Sequence, residues 1–94
     1  MTPPIEPATR RTPDEVNELL AALQTRLTGL ATADPITALR AAARVEGLGR
    51  RVAEQAAVSA YHQGASWSDI GAAFEISKQA AHQRFARHVR ASRR

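Results

Sequence analysis

Large aliphatic residues in the first third of the chain recur at helical spacing. Val16, Leu19, Leu20, Leu23, Leu27 and Leu30 follow one another at steps of one, three and four, and so share one face of a helix. The start of that helix is marked by Thr12-Pro13-Asp14-Glu15. Thr12 suits the N-cap, Pro13 the first helical position, where no amide donor is needed, and Glu15 the third position of a capping box. Asp14 and Glu15 also sit at the positive end of the helix dipole. The pattern predicts a helix over residues 13–31.

Asp34-Pro35 repeats the start signal and opens a second, alanine-rich helix. Ile36, Leu39, Ala43, Val45, Leu48, Val52, Ala56 and Ala60 form its predicted apolar face, and Gly64 is a suitable residue to end it. Gly47 and Gly49 lie inside this stretch, each costing roughly 1 kcal/mol against alanine. They imply either a close helix–helix approach or a kink. The short link between the two helices predicts an antiparallel hairpin, its leucine stripe turned inward or toward a second subunit.

A third start signal follows, with Ser66 as N-cap and Asp69 three residues on. Trp67, Ile70 and Phe74 are its apolar residues, and the helix is short because Glu75-Ile76-Ser77 supplies a turn and a new N-cap at Ser77. Beyond it, Ala81, Phe85 and Val89 make an apolar stripe at steps of four, among polar and basic neighbours. Two short helices joined by a three-residue turn form a helix-turn-helix pattern. Gly71 is the small residue its crossing requires, with Ile70, Phe74, Ile76 and Ala81 supplying the contacts. The fold class expected is all-α: an N-terminal antiparallel helical hairpin followed by a trihelical helix-turn-helix unit. The organisation expected is a disordered arm over 1–11, a hairpin over 12–49 serving dimerisation, a DNA-binding unit over 50–90 and a basic tail over 91–94.

Composition narrows the chemistry. Ninety-four residues suit one small domain, so dimerisation is an expected source of further buried area. There is no cysteine, which excludes disulfides, a thiolate nucleophile and cysteine-ligated zinc. No apolar run nears the roughly 20 residues that span a bilayer, and the first twelve residues lack the apolar stretch of a secretory signal. A cytoplasmic, nucleoid-associated location is therefore expected, with no membrane partner. His62, His82 and His88 are not spaced as a metal site. Ser, His and Asp occur without a glycine-flanked nucleophile, so no enzymatic activity, cofactor or small-molecule ligand is expected.

Charge is uneven. The formal net charge is +4, yet residues 1–34 carry −2, residues 35–75 are neutral and residues 76–94 carry +6 with no acid. A basic, acid-free end suits a polyanion, since each phosphate contact releases condensed counterions; it equally suits a solvated tail that aids solubility.

The stretch WSDIGAAFEISKQAAHQRF, residues 67–85, resembles the helix-turn-helix of bacterial transcription regulators, including that of sigma-factor region 4. It is most similar to small actinobacterial-type DNA-binding proteins with the pattern SWxxIGxxxxxSxQAAxxRF. The resemblance covers about nineteen residues, with a first helix of the trihelical unit available over 50–63. Glu75 stands where such proteins commonly carry glycine at the turn. Arg84 stands at the usual apolar position, so Phe85 must anchor the second helix.

The resemblance implies that the second helix enters the major groove of duplex DNA. Ser77, Lys78, Gln79, His82 and Gln83 would then read bases, with Gln79 or Gln83 suited to adenine and Lys78 to guanine or a phosphate. Ser66, Ser68, Arg84, Arg87, Arg90, Arg93 and Arg94 would hold the DNA backbone. Trp67 fits a packing role better than a base-stacking one. The function expected is sequence-specific DNA binding by a homodimeric transcriptional regulator, with Val16, Leu19, Leu20, Leu23, Leu27 and Leu30 at the dimer contact. Two alternatives stay open: an architectural nucleoid protein of low sequence specificity, and an interaction module that docks on the transcription machinery.

Overall fold

The computed structural model describes residues 12–93, so the expected arm over 1–11 and Arg94 lie outside the described residues. Four helices follow in order: α1 (Pro13–Ala33), α2 (Pro35–His62), α3 (Trp67–Ala73) and α4 (Lys78–Ala91). No strand occurs among the described residues, and the protein is all-helical. No helix among them is long and apolar enough to cross a membrane. The chain divides into two compact units, the boundary falling after Ala43 within α2.

In the first unit α1 begins as its sequence dictates. The Thr12 hydroxyl accepts the Glu15 amide at 3.2 Å, and Pro13 occupies the first turn. The helix runs two residues past the expected end and stops when the Asp34 amide donates to the Leu30 carbonyl at 2.8 Å. Asp34 then starts α2, its carboxylate accepting the Thr37 amide at 3.3 Å and the Thr37 hydroxyl at 2.8 Å. One residue thus ends one helix and caps the next. No residue of α1 is buried. Val16, Leu19, Leu20 and Leu23 are exposed, Leu19 at 58 %, while Leu27 and Leu30 are half-buried.

The second unit has a small core made by the end of α2, by α3 and by α4. Ala57, Ile70, Ala81 and Phe85 are buried together, with Ala53, Ala60, Tyr61, Ala65, Trp67 and Ile76 packed around them. Phe85 is 1 % exposed and is the largest fully buried side chain, a burial contributing about 1.5–3 kcal/mol. α2 ends in a Schellman motif around Gly64, whose φ is +100°: the Gly64 amide donates to the Tyr61 carbonyl at 3.0 Å and the Ala65 amide to the Ala60 carbonyl at 2.9 Å.

The face of α2 that packs overlaps the one its pattern predicts only at Ala60. Val45, Leu48 and Val52 are exposed, and the buried contacts come from Ala53, Ala57, Ala60 and Tyr61. Small side chains let α3 and α4 approach closely, and that approach outweighs the greater hydrophobicity of valine and leucine. Neither Gly47 nor Gly49 marks a close approach. A Cβ at Gly49 would meet nothing within 4 Å, and one at Gly47 only the Arg51 guanidinium at 3.4 Å. α2 is one helix throughout.

Candidate functional site

α3 is seven residues long, and its position rests on its caps. The Ser66 hydroxyl accepts the Asp69 amide at 3.0 Å, and the Asp69 carboxylate accepts the Ser66 amide at 2.9 Å, a complete capping box. The hydrogen bond from the Ser66 backbone amide, reinforced by the Ser66 side chain, holds the Asp69 carboxyl below its ordinary value of 3.8. Ser66 thus has both its amide and its hydroxyl acceptor engaged. Ser68 is exposed in the first turn.

The turn between α3 and α4 is built on two unusual backbone positions. At Gly71 an added Cβ would lie 2.8 Å from the Ile76 carbonyl oxygen and 2.9 Å from that of Ser77, so only glycine fits there. The Ile76 amide donates to the Gly71 carbonyl at 2.8 Å and locks the crossing. Glu75 has a φ of +59°, the left-handed region that its side chain disfavours by roughly 1–2 kcal/mol. Glu75 therefore adopts a conformation that glycine takes at no steric cost.

α4 starts when the Ser77 hydroxyl accepts the Ala80 amide at 3.0 Å. Its inner side is Ala81, Phe85, Ala86 and Val89, all buried. Gln79, Gln83 and Arg87, at steps of four, and Arg90, three further on, form an exposed row across the helix from Ala81, Phe85 and Val89 and beside Ala86. Spanning twelve residues, this row is about 17 Å long. Lys78 is exposed at the first turn, one helical step from His82.

Several expected contact residues are already engaged. The His82 ring meets Trp67 edge-on at 5.2 Å, and Trp67 lies 5.1 Å from Tyr61, so His82 flanks an aromatic cluster. Trp67 is half-buried and packs against the core. Arg84 lies over the Phe74 ring, 4.8 Å from its centre, and near that of Phe85 at 5.5 Å. Phe74, expected inside the crossing, is 40 % exposed; it stands at the C-cap of α3, edge-on to Phe85 at 5.7 Å, with Arg84 as its cover. Arg93 donates to the Tyr61 hydroxyl at 3.4 Å and lies over its ring.

Contacts that the sequence pattern did not predict tie α4 and the residues just after it to α2. His88 faces Glu54 at 3.3 Å, His62 shares a hydrogen bond with Ser92 at 2.8 Å, and Tyr61 bridges Trp67 and Arg93. A signal for Tyr61 was present: Ala53, Ala57 and Tyr61 are spaced by four and share a face. Among the described residues no cluster of His, Asp or Glu is arranged to hold a metal ion.

Comparison with protein-family models, with curated proteins and with solved structures finds no match.

Proposed function

We propose that this protein binds duplex DNA as a sequence-specific, homodimeric transcriptional regulator, with α3 and α4 acting as a helix-turn-helix and the end of α2 as the first helix of a trihelical unit. The observation that carries the reading is the outer row of α4. Gln79, Gln83, Arg87 and Arg90 stand exposed on a helix whose apolar side is wholly consumed by the core, and α4 carries no acid. A helix of this kind fits the major groove, about 12 Å wide, with its N-terminal residues at base edges.

Roles follow from what is free. Gln79 and Gln83 present amide groups suited to adenine, and Lys78 stands at the same end of the helix, beside Ser77, whose hydroxyl oxygen already accepts the Ala80 amide. His82 reaches DNA only from beside Trp67. Arg87 and Arg90 suit phosphates, joined by Ser68 at the neighbouring helix start. A phosphate at the Ser66 amide would compete with the Asp69 carboxylate already bound there. Arg84 and Arg93 are turned to aromatic rings and enter only the wider field. The exposed leucine stripe of α1 supports the dimer.

Selection of bound sequences from random duplexes, with the solution mass measured alongside, tests the reading. A palindromic site and a doubled mass are expected. Gln79→Ala relaxes preference at one base position, whereas Arg87→Ala weakens all duplexes alike and lowers the salt slope by about one. Equal losses on selected and random DNA for both variants contradict base reading by α4. A footprint spread evenly along a long fragment would instead mark an architectural protein.

A further inference from the structure

One flank of α4 carries hydrogen-bond donors that have nothing in the chain to donate to. Residues 82, 86, 90 and 93 descend this flank at steps of four and three, the last just past the helix, so it adjoins the exposed row at Arg90. Tyr61, from the end of α2, and Trp67, from the start of α3, lie against it. Trp67 meets His82 at 5.2 Å, Tyr61 meets Trp67 at 5.1 Å, and Arg93 lies over the Tyr61 ring at 5.5 Å.

The hydrogen bonding at Tyr61 is half used. Its oxygen accepts from Arg93 at 3.4 Å, in an exposed position. A guanidinium only donates, so the Tyr61 proton takes no part in that bond, and no acceptor for it occurs among the described residues. Accepting from a cation polarises the hydroxyl and makes it the stronger donor. The Trp67 indole N–H also donates to none of the described residues. Since no buried side-chain nitrogen or oxygen among them lacks a partner, that N–H is open to solvent. No acid among them pairs with Arg93, and Asp69, the one acid of α3, is engaged by the Ser66 amide. The Ser92 hydroxyl donates to the Val89 carbonyl at 2.6 Å, so in its 2.8 Å bond with His62 the ring donates. The residue before Arg93 is thereby held from both sides.

We infer that the Tyr61 hydroxyl donates to a backbone phosphate of duplex DNA beside α4, with Arg93 acting through it as a positioning residue and the Trp67 N–H as a further donor on the same flank. This rests on the DNA-binding reading above and names a contact outside α4. A helix in the major groove has a phosphate strand on either side, so unspent donors beside the outer row meet phosphates rather than base edges. The other flank differs: there His88 faces Glu54, and Arg84 covers Phe74.

Tyr61→Phe tests this, because it removes the hydroxyl and keeps the ring on which Trp67 and Arg93 pack. Affinity is expected to fall about tenfold, alike on selected and random duplexes, since a phosphate carries no sequence information. The salt slope should not change, because a neutral donor releases no counterion. Arg93→Met should lose affinity in the wild-type chain, and its loss should be at least about threefold smaller in the Tyr61→Phe background, as expected of two groups acting as one. Trp67, the only tryptophan, should become less accessible to acrylamide when duplex is added. Thermal unfolding of Tyr61→Phe should match the wild type. Wild-type affinity in Tyr61→Phe overturns the contact and leaves base reading by α4 standing. So does a loss confined to the selected duplex, or one matched by a fall in Tm. Unchanged exposure of Trp67 in the complex likewise overturns it. A wild-type chain that binds no duplex removes the DNA-binding reading itself.

Discussion

Replacing Gly71 by alanine should destabilise the second unit, although the same change at another helical glycine should stabilise it. The added methyl would sit 2.8 Å from the Ile76 oxygen, 2.9 Å from the Ser77 oxygen and 3.0 Å from the Ser77 carbonyl carbon. All three are backbone atoms at the entrance to α4, so no side chain can swing aside; the helix start must move. Overpacking of this kind costs about 1–3 kcal/mol. Straining the 2.8 Å bond from the Ile76 amide to the Gly71 carbonyl adds about 0.5–1.5 kcal/mol. Alanine's better helix propensity returns about 1 kcal/mol. The net is a loss of about 2 kcal/mol, or a fall in Tm of roughly 8–16 °C for a unit of this size. For a small domain stabilised by only several kcal/mol, that is a large share. Gly49→Ala is the control, since a Cβ there meets nothing within 4 Å; it should gain up to about 1 kcal/mol. Thermal and urea unfolding followed by far-ultraviolet circular dichroism compare the two. If Gly71→Ala proves as stable as the wild type, the tight crossing of α3 and α4 described here is wrong.

Glu75→Gly should stabilise by about 0.5–1 kcal/mol, because relief of the left-handed strain at φ +59° exceeds the extra chain entropy of glycine. An unchanged or lower urea midpoint contradicts that strain. Asp69 has a folded-state pKa below its unfolded one, so its contribution is present above the unfolded value near 4 and fades as pH falls through the folded value. Asp69→Asn should therefore be less stable than wild type near neutrality and should lose less stability between about pH 5 and pH 2, as urea midpoints across that range would record. Parallel pH profiles for the two proteins contradict a role for the capping carboxylate.

Local signals in the chain proved more legible than distant ones. Thr12, Asp34, Ser66 and Ser77 all cap the helices they were expected to start, because a cap depends on residues three positions away. Gly71, Glu75 and the buried row of Ala81, Phe85 and Val89 could also be read from the pattern, since a tight turn and an amphipathic helix leave local marks. The packed face of α2 could not. Hydrophobicity ranks Val45, Leu48 and Val52 above Ala53 and Ala57, but the contact selects for small size, which appears only when two helices meet. Arg84 is similar: its charge suggested phosphate, while its position over Phe74 depends on where α3 ends. For α1 the pattern shows an apolar stripe without showing what covers it.

The ties at the far end of α4 bear on how it meets a partner. Gly71 fixes its first turn, and Tyr61 and His62 hold Arg93 and Ser92 just past its last. A rod clamped at both ends has little freedom left to surrender when it docks. Ordering a loose helix would draw on the binding free energy; were α4 to dock as proposed, its backbone entropy would already have been spent in folding, and the ordering of the exposed Gln79, Gln83 and Arg87 side chains would remain as the cost.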